Sequence, residues 1–284
     1  MAVHDRRHVV VAGLPYDGSA TYRKGAALAP SELRRVSAVF PPVTEDGRVM
    51  LDFGIGDLGN FEVAGRSIKE FFEEAALWLA QAPADLPLVT LGGDHCSDIA
   101  VLTAQVRRTG QNLAVVWIDA HPDLCDVSRG WSYSCGCALR RALEHSALDP
   151  SRVAVVGGRD FDPEELDFMS RHGVMLVTAA ELHRSSAFEI GRNLAARFAG
   201  LKLHLSVDVD VLDPAFAPGT EIPSSGGLSS RQLLELLRGL SNGDLYGLDV
   251  MEYCPPVDVS EITALAAVKL VYEFLGHVHR RCKV

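Results

Sequence analysis

The stretch Leu113-Ala-Val-Val-Trp-Ile-Asp119-Ala-His121-Pro-Asp123 decides the fold of this chain. Its first six residues are apolar and rich in β-branched side chains, which is typical of a strand buried on both faces of a parallel sheet. The acids and the histidine follow where such a strand would end. Ligands of α/β sheets bind at the carboxyl ends of the strands, so we expect Asp119, His121 and Asp123 to converge there.

Two other stretches repeat this layout of an apolar run followed by polar residues. Leu88-Val-Thr-Leu91 leads to His95, and Leu203-His-Leu-Ser-Val207 leads to Asp208 and Asp210. Each of these polar residues alone is more often a helix cap or a turn former. Together, however, so many ionised carboxylates would repel one another and take up protons unless a cation lay between them. The combination therefore predicts a metal centre with two ions.

Strand-like and helical segments alternate along the chain, which predicts an α/β fold with a mostly parallel sheet between two layers of helices. Strands are expected near 8–13, 87–91, 113–118, 152–157, 174–178, 202–208 and 244–250. Helices are expected near 30–38, 62–81, 97–109, 137–146, 163–172, 187–199, 229–239 and 260–279. Gly54-Ile-Gly56-Asp-Leu-Gly59 matches the dinucleotide-binding glycine pattern, but no convincing strand precedes it. We interpret 52–57 as a connecting turn.

The composition narrows the function classes. The 284 residues carry a formal charge of −10, which disfavours nucleic acid and anionic membrane surfaces as partners and favours a cationic substrate. The sequence has no apolar run of about 18 residues and no apolar segment typical of a secretory signal. These features predict a cytoplasmic enzyme, and because no Pro/Gly/Ser-rich linker, charge block or internal repeat divides the chain, we predict a single domain, 1–284. Reduced thiols are the default in that compartment, with a Cys96–Cys125 disulfide as an alternative.

Gly-Gly-Asp-His95, Asp119-Ala-His-x-Asp and Ser206-x-Asp-x-Asp-x-x-Asp-Pro resemble, in this order, the three signature stretches of the ureohydrolases, the arginase and agmatinase family. The likeness extends from Gly13 to Glu252. It implies a three-layer α/β/α fold with a mostly parallel eight-stranded sheet, two Mn²⁺ ions per chain, and a small guanidino or amidino substrate. It also implies a homo-oligomer, either a trimer or a hexamer.

The same resemblance assigns roles to the residues of the motifs. One ion would be bound by His95, Asp119, Asp123 and Asp208. The other would be bound by His121, Asp119, Asp208 and Asp210. This hard, oxygen-rich set suits Mn²⁺, and a two-ion site lowers the pKa of a water molecule towards neutrality. Glu252 matches the family carboxylate that pairs with the guanidinium group, and the catalytic residues implied are Glu252, Asp123 and His121.

Two segments indicate which substrate the enzyme would bind. In arginases, acids in the segment that Asp160 and Asp162 match bind the α-ammonium group of the substrate, although Asp162-Pro163 is equally typical of a helix N-terminus. Cys135 stands where arginases and agmatinases carry a proton-transferring histidine, and Cys125 replaces a carboxylate-binding asparagine. Cys135 is therefore a candidate substrate-binding residue, and ordinary L-arginine is in doubt.

The resulting hypothesis is a dimanganese hydrolase that cleaves a C–N bond in an arginine-like or N-hydroxyarginine-like amino acid, releasing urea or hydroxyurea and an amine. A formimidoylglutamase-type or agmatinase-type hydrolase is one alternative, and a catalytically silent metal-binding homologue is another. Zinc deacetylases share the fold but bind one ion, so Asp123 and Asp210 argue against that class.

Overall fold

The computed structural model describes residues 7–282, and its centre is one sheet of eight strands. The strands are β1 Val9–Gly13, β2 Ile55–Asn60, β3 Leu88–Leu91, β4 Leu113–Ile118, β5 Val153–Gly158, β6 Met175–Thr178, β7 Lys202–Asp208 and β8 Asp244–Met251. Their order is β2-β1-β3-β8-β7-β4-β5-β6, and every pair of neighbours is parallel. The predicted eight-stranded α/β sheet is confirmed.

Helices cover both faces of the sheet. They are α1 Ala29–Ser37, α2 Ile68–Leu79, α3 Asp98–Thr109, α4 Ala138–Ser146, α5 Pro163–His172, α6 Ala179–Arg184, α7 Ala187–Arg197, α8 Ser230–Leu240 and α9 Ile262–Cys282. One core contains Leu33 of α1, Leu233 of α8 and Phe274 of α9, and the other contains Phe71 of α2 and Leu102 of α3. No helix of residues 7–282 is long and apolar enough to cross a membrane.

Strand β2 corrects the expected connecting turn at 52–57. Its sequence, Ile-Gly-Asp-Leu-Gly-Asn, has no apolar run, and its side chains are mostly exposed. It lies at the edge of the sheet and pairs only with β1, with Ile55 opposite Val9. A strand at the edge of a sheet can be exposed to solvent, so its sequence does not need the apolar run of a strand buried on both faces. The alternation of buried side chains that reveals a strand is therefore missing here.

The central strands bring the polar motifs to one edge of the sheet. In β3, β8, β7 and β4, which are neighbours, Leu91 pairs with Val250, Val250 with Val207, and Val207 with Ile118. These residues therefore lie at one level. Since all four strands are parallel, the residues that follow them meet at the same edge.

Candidate metal centre and substrate cavity

The first set of donor atoms surrounds His95, which follows β3 in a short turn of 3₁₀ helix. Its Nδ1 lies 3.0 Å from Asp119 Oδ2, 3.3 Å from Asp208 Oδ2 and 3.6 Å from Asp123 Oδ2. Asp119 directly follows β4, and Asp208 is the last residue of β7. The structure thus brings together the four residues predicted to bind one ion.

The second set surrounds His121. Its Nδ1 lies 3.0 Å from Asp210 Oδ2 and 3.5 Å from Asp119 Oδ1. Asp119 therefore contributes to both sets, with one carboxylate oxygen directed to each. Asp208 Oδ1 accepts a hydrogen bond from the backbone N–H of Asp210 at 2.7 Å. A role for Asp208 as a second shared ligand stays a prediction.

The residues present fit a cation. His95 and Asp119 are completely buried, and Asp208 and Asp210 are each 3% exposed. Burial, and then the charge of neighbouring carboxylates, raises the pKa of Asp208 and of Asp210. Within residues 7–282, His95 Nδ1 and Asp119 Oδ2 lie 3.0 Å apart but have no hydrogen-bond partner. A divalent ion would hold such carboxylates in their ionised form and use these unpaired atoms.

Polar residues behind His95 orient its ring. His95 Nε2 lies 2.8 Å from Ser206 Oγ, and Ser206 Oγ donates to Asp98 Oδ2 at 2.6 Å. Because the hydroxyl gives its only proton to Asp98, it accepts from Nε2, which leaves the Nδ1 lone pair facing the carboxylates. The Trp117 ring stacks on the imidazole, with the ring centroids 3.8 Å apart. His95 is thus held with its ligating nitrogen towards Asp119.

Asp123 and Glu252 have a left-handed backbone, with φ of 54° and 61°. Such a conformation costs about 1–3 kcal/mol in a non-glycine residue. Glu252 directly follows β8, and its N–H donates to Gly93 O at 2.9 Å. Both residues line the same cavity. They are two of the seven non-glycine residues with positive φ in the described part of the chain, and Arg129, a third, also lines the cavity.

A cavity of about 730 Å³ opens over both sets. Its acidic lining consists of Asp123, Asp160, Asp162, Glu164, Glu165, Asp208, Asp210, Glu221 and Glu252. In the described part of the chain, Arg129 is the only arginine or lysine that lines it. The summed charge of this lining favours a cationic ligand.

Cys135 lies in this cavity, just before α4. Its Sγ is 3.3 Å from Glu252 Oε1 and 3.7 Å from Glu221 Oε2. Burial, and then the charges of Asp208 and Glu221, raises the pKa of Glu252 well above its usual range. A cation placed at this end of the cavity would relieve that repulsion.

The alternative of a Cys96–Cys125 disulfide is not supported, because all six cysteines are free. The Cys96 thiol donates to Ser134 O at 3.3 Å, whereas the Cys125 thiol donates to Asp162 Oδ2 at 3.4 Å. Each thiol thus has a hydrogen-bond acceptor of its own.

Asp160 and Asp162 lie in the loop between β5 and α5 and line the cavity. Asp160 Oδ2 accepts a hydrogen bond from Ser224 Oγ at 2.6 Å. Asp162 is the N-cap of α5, and its N–H donates to Glu165 Oε2 at 2.8 Å. Asp162 therefore has the structural role that its sequence also predicted, while its carboxylate still faces the cavity.

Several functional residues were missed from the sequence. They are Asp98, Glu165, Ser206 and Glu221. Glu165 is buried and accepts the N–H of Leu124 at 2.8 Å, which fixes the segment after Asp123. Asp98 lies three residues after His95, and Ser206 begins the Ser-x-Asp-x-Asp motif, but neither was predicted to contribute to the site. Glu221 had one signal, because it directly follows Pro218-Gly-Thr220, a segment that resembles the ureohydrolases.

Comparisons with known proteins agree with this geometry. The arginase family model matches residues 7–276. Proclavaminate amidinohydrolase of Streptomyces clavuligerus is 35% identical over 278 residues, covering 94% of this chain and 87% of that protein. Guanidinopropionase of Pseudomonas aeruginosa is 36% identical over 280 residues, covering 93% and 84%. The crystal structure of a hypothetical agmatinase from Burkholderia thailandensis superimposes with a TM-score of 0.88 at 31% identity, covering 99% of this chain and 88% of that one. The chain therefore belongs to the arginase family.

Proposed function

We propose that this protein is a dimanganese hydrolase that cleaves a C–N bond of a guanidino compound and releases urea and an amine. The observation that carries the proposal is one cavity lined by members of two sets of potential metal-binding residues, which share Asp119, and by Glu252, whose Oε2 has no hydrogen-bond partner in the described chain. Two of the relatives are named for amidino or guanidino compounds.

The type and number of donor atoms favour two manganese ions. Four carboxylates and two imidazoles form a hard set that suits Mn²⁺. When bound, two such ions would supply the Lewis acidity that lowers the pKa of a water molecule towards neutrality. His95, Asp119, Asp123 and Asp208 would hold one ion. His121, Asp119 and Asp210, with Asp208, would hold the other.

Asp123 and His121 also belong to the wall of the cavity, which gives them a part in the reaction. Asp123 can accept a hydrogen bond from the attacking water and thereby orient it. His121 is 28% exposed, and its Nε2 lies 3.8 Å from Asp160 Oδ2. A proton released at the site can pass between His121 and Asp160, because their side chains lie close to each other.

Glu252 would bind the guanidinium group. Its Oε1 already accepts the N–H of His95 at 2.7 Å, while its Oε2 has no partner within residues 7–282. A guanidinium group offers parallel N–H donors that match a carboxylate. Such a pair would hold the planar carbon beside the metal-binding residues and leave its face open to attack.

Cys135, Asp160 and Asp162 indicate which substrate the cavity binds. The Cys135 thiol lies near Cys96, and hydrogen bonding to that residue, then burial, raises the pKa of Cys135. The thiol therefore stays protonated at neutral pH and is a weak acid. An N-hydroxyarginine-like amino acid, a guanidine analogue of lower basicity, is the substrate we infer for a site that lacks the family histidine. Asp160 and Asp162 would bind its α-ammonium group.

The acidic lining also favours a second candidate, an agmatinase-type reaction. Arg129 is the only arginine or lysine among the described residues that line the cavity, and it donates to Thr21 O at 3.1 Å. A guanidino amine without a carboxylate would meet less repulsion there than an amino acid would. The same lining disfavours an acidic substrate such as formimidoylglutamate.

A panel of substrates on Mn²⁺-loaded protein tests the proposal. L-arginine, N-hydroxyarginine, agmatine, guanidino acids and formimidoylglutamate are compared, and urea, hydroxyurea, formamide and amine are measured. We expect urea or hydroxyurea from at least one guanidino compound, and loss of that product in Glu252→Gln. No product from any substrate at full metal loading would instead identify a catalytically silent homologue.

A further inference from the structure

Glu221 is a buried carboxylate that neither set of metal-binding atoms includes. It is 3% exposed and lines the cavity. Its Oε1 accepts the N–H groups of Thr21 and Tyr22, and the Thr21 hydroxyl at 3.0 Å. These three donors fix the side chain. Its Oε2 is left facing the Cys135 thiol, at 3.7 Å.

Glu252 contacts the same thiol. Its Oε1 lies 3.3 Å from Cys135 Sγ and accepts the N–H of His95. Glu252 is 4% exposed, and in the described chain its Oε2 is buried without a hydrogen-bond partner. The Cys135 thiol thus contacts both carboxylates, and atoms of all three side chains lie within 4.8 Å of one another at one end of the cavity.

This end of the cavity has more acceptors than donors. The single S–H of Cys135 can serve only one of Glu221 Oε2, Glu252 Oε1 and the carbonyl of Ser19, which is 3.4 Å away. The hydroxyl of Thr220, which also lines the cavity, is buried and has no partner among residues 7–282. Buried acceptors and negative charges without donors are costly. A ligand that brings both positive charge and several N–H groups would remove that cost.

We propose that Glu221 and Glu252 form a two-carboxylate clamp for a planar amidinium or guanidinium cation with N–H donors on two edges. The clamp rests on the proposed function, since it deepens the substrate recognition of the same cavity. A guanidinium group has five N–H donors in a fixed plane, so it can pair with both carboxylates, whereas a compact ammonium group is a point charge. Glu221 is then a specificity-determining residue for the guanidinium end of the substrate.

Binding of guanidinium chloride at millimolar concentration to the Mn²⁺-loaded protein tests the clamp by calorimetry. Tetramethylammonium chloride is the equally charged probe without N–H groups, and urea is the neutral planar one. We expect guanidinium alone to bind, and Glu221→Gln to weaken it about 10- to 100-fold, the loss typical of a hydrogen bond to a charged group. Glu189→Gln removes an exposed carboxylate on α7 that does not line the cavity, and it serves as the matched control, with a change of about twofold or less.

Unchanged guanidinium binding by Glu221→Gln would overturn the clamp. If that variant fails to fold, the rate of alkylation of Cys135 in the wild-type protein tests the clamp instead. Saturating guanidinium, and not tetramethylammonium, should slow the labelling of Cys135 by iodoacetamide, and equal labelling rates would overturn the proposal. A third ion per chain with a thiolate charge-transfer band on Co²⁺ loading, lost in Cys135→Ser, would also overturn it, because Cys135, Glu221 and Glu252 would then be metal ligands.

Turnover separates the clamp from the function on which it rests. Urea release with the same KM in the wild type and in Glu221→Gln would leave the hydrolase standing and remove the clamp. Guanidinium binding that depends on Glu221, without urea from any guanidino compound, would keep the clamp and remove the hydrolase. If both are right, Glu221→Gln raises KM for guanidino substrates more than it lowers kcat.

Discussion

At the scale of single residues, Asp119 connects the two sets of the proposed metal centre. One of its oxygens lies near His95 and the other near His121. Its position directly after β4 follows from the apolar run that precedes it. A carboxylate that faces two imidazoles is the residue whose loss should affect both ions.

We predict that Asp119→Ala loses both ions, and that Asp210→Ala mainly empties the side of His121. The reason is that Asp210 lies 3.0 Å from His121 and takes no part in the set around His95. Elemental analysis of purified, Mn²⁺-loaded protein measures the ions per chain. Asp167→Ala, which alters only an exposed ion pair with Arg171 on α5, is the control. One tightly held zinc ion that Asp210→Ala does not change would contradict this model.

Cys135 gives a second prediction at this scale. If it occupies the position of the family histidine, Cys135→His should raise turnover on a strongly basic guanidine such as L-arginine. General acid–base assistance is typically worth about 10²–10⁴-fold. Steady-state rates of Cys135→His and Cys135→Ala on the same substrates measure the effect. Equal losses in the two variants on every substrate would mean that Cys135 has a packing role.

Whether a site residue could be predicted from the sequence depends on the kind of segment that carries it. Asp119, Asp208 and His95 were found because each follows an apolar run that can only be a buried strand. Glu221 was missed because tertiary packing alone brings it to Thr21 and Cys135, whereas Asp98 lies only three residues after His95 and is typical of the first residue of a helix. A loop sequence such as Thr220-Glu-Ile-Pro gives no indication that its carboxylate accepts hydrogen bonds from Thr21 and Tyr22.

At the scale of elements, buried segments were predicted well and exposed ones poorly. Strand β4 is a continuous apolar run, β7 is buried from Leu203 onwards, and the structure places both in the centre of the sheet. The short helix α6 was missed because its six residues are too few to show a period. The helix α2 begins at Ile68 and not near 62, because Ser67 and Glu70 form a capping box there.

Helices α7 and α8 pack through glycine, which gives a prediction about stability. A Cβ on Gly191 would lie 2.3 Å from Leu236 O and 2.9 Å from Leu240 N. Gly191→Ala gains about 1 kcal/mol of helix propensity but forces the two backbones apart, at a cost of about 1–3 kcal/mol. We expect a lower melting temperature than for the wild type.

The matched control is Asn193→Ala, which changes an exposed position of the same helix. It should leave the melting temperature unchanged or raise it slightly, because alanine is the better helix former. A rise in both variants would mean that α7 and α8 tolerate a wider separation than their close contact indicates.

At the scale of the whole molecule, the metal centre links strands from the middle of the sheet. The proposed ligands follow the ends of β3, β4 and β7, and Glu252 follows the end of β8. The predicted trimer or hexamer, the cytoplasmic location and the single domain of 1–284 stay predictions.

Metal removal should therefore lower the stability of the entire chain. An ion that binds only the folded state stabilises it by about 2.7 kcal/mol at a free concentration of 100 Kd. We expect chelation to lower the melting temperature, Mn²⁺ to restore it, and Asp119→Ala to show no response to either. A wild-type melting temperature that chelation leaves unchanged would mean that the carboxylates are not held together by a cation.

The most direct measurement of the central claim is anomalous X-ray scattering at the manganese edge from crystals of Mn²⁺-loaded protein. Two peaks per chain should appear, one beside His95 and one beside His121, with Asp119 in contact with both. A single peak, or two peaks away from Asp119, would contradict the two-ion centre and with it the proposed hydrolase.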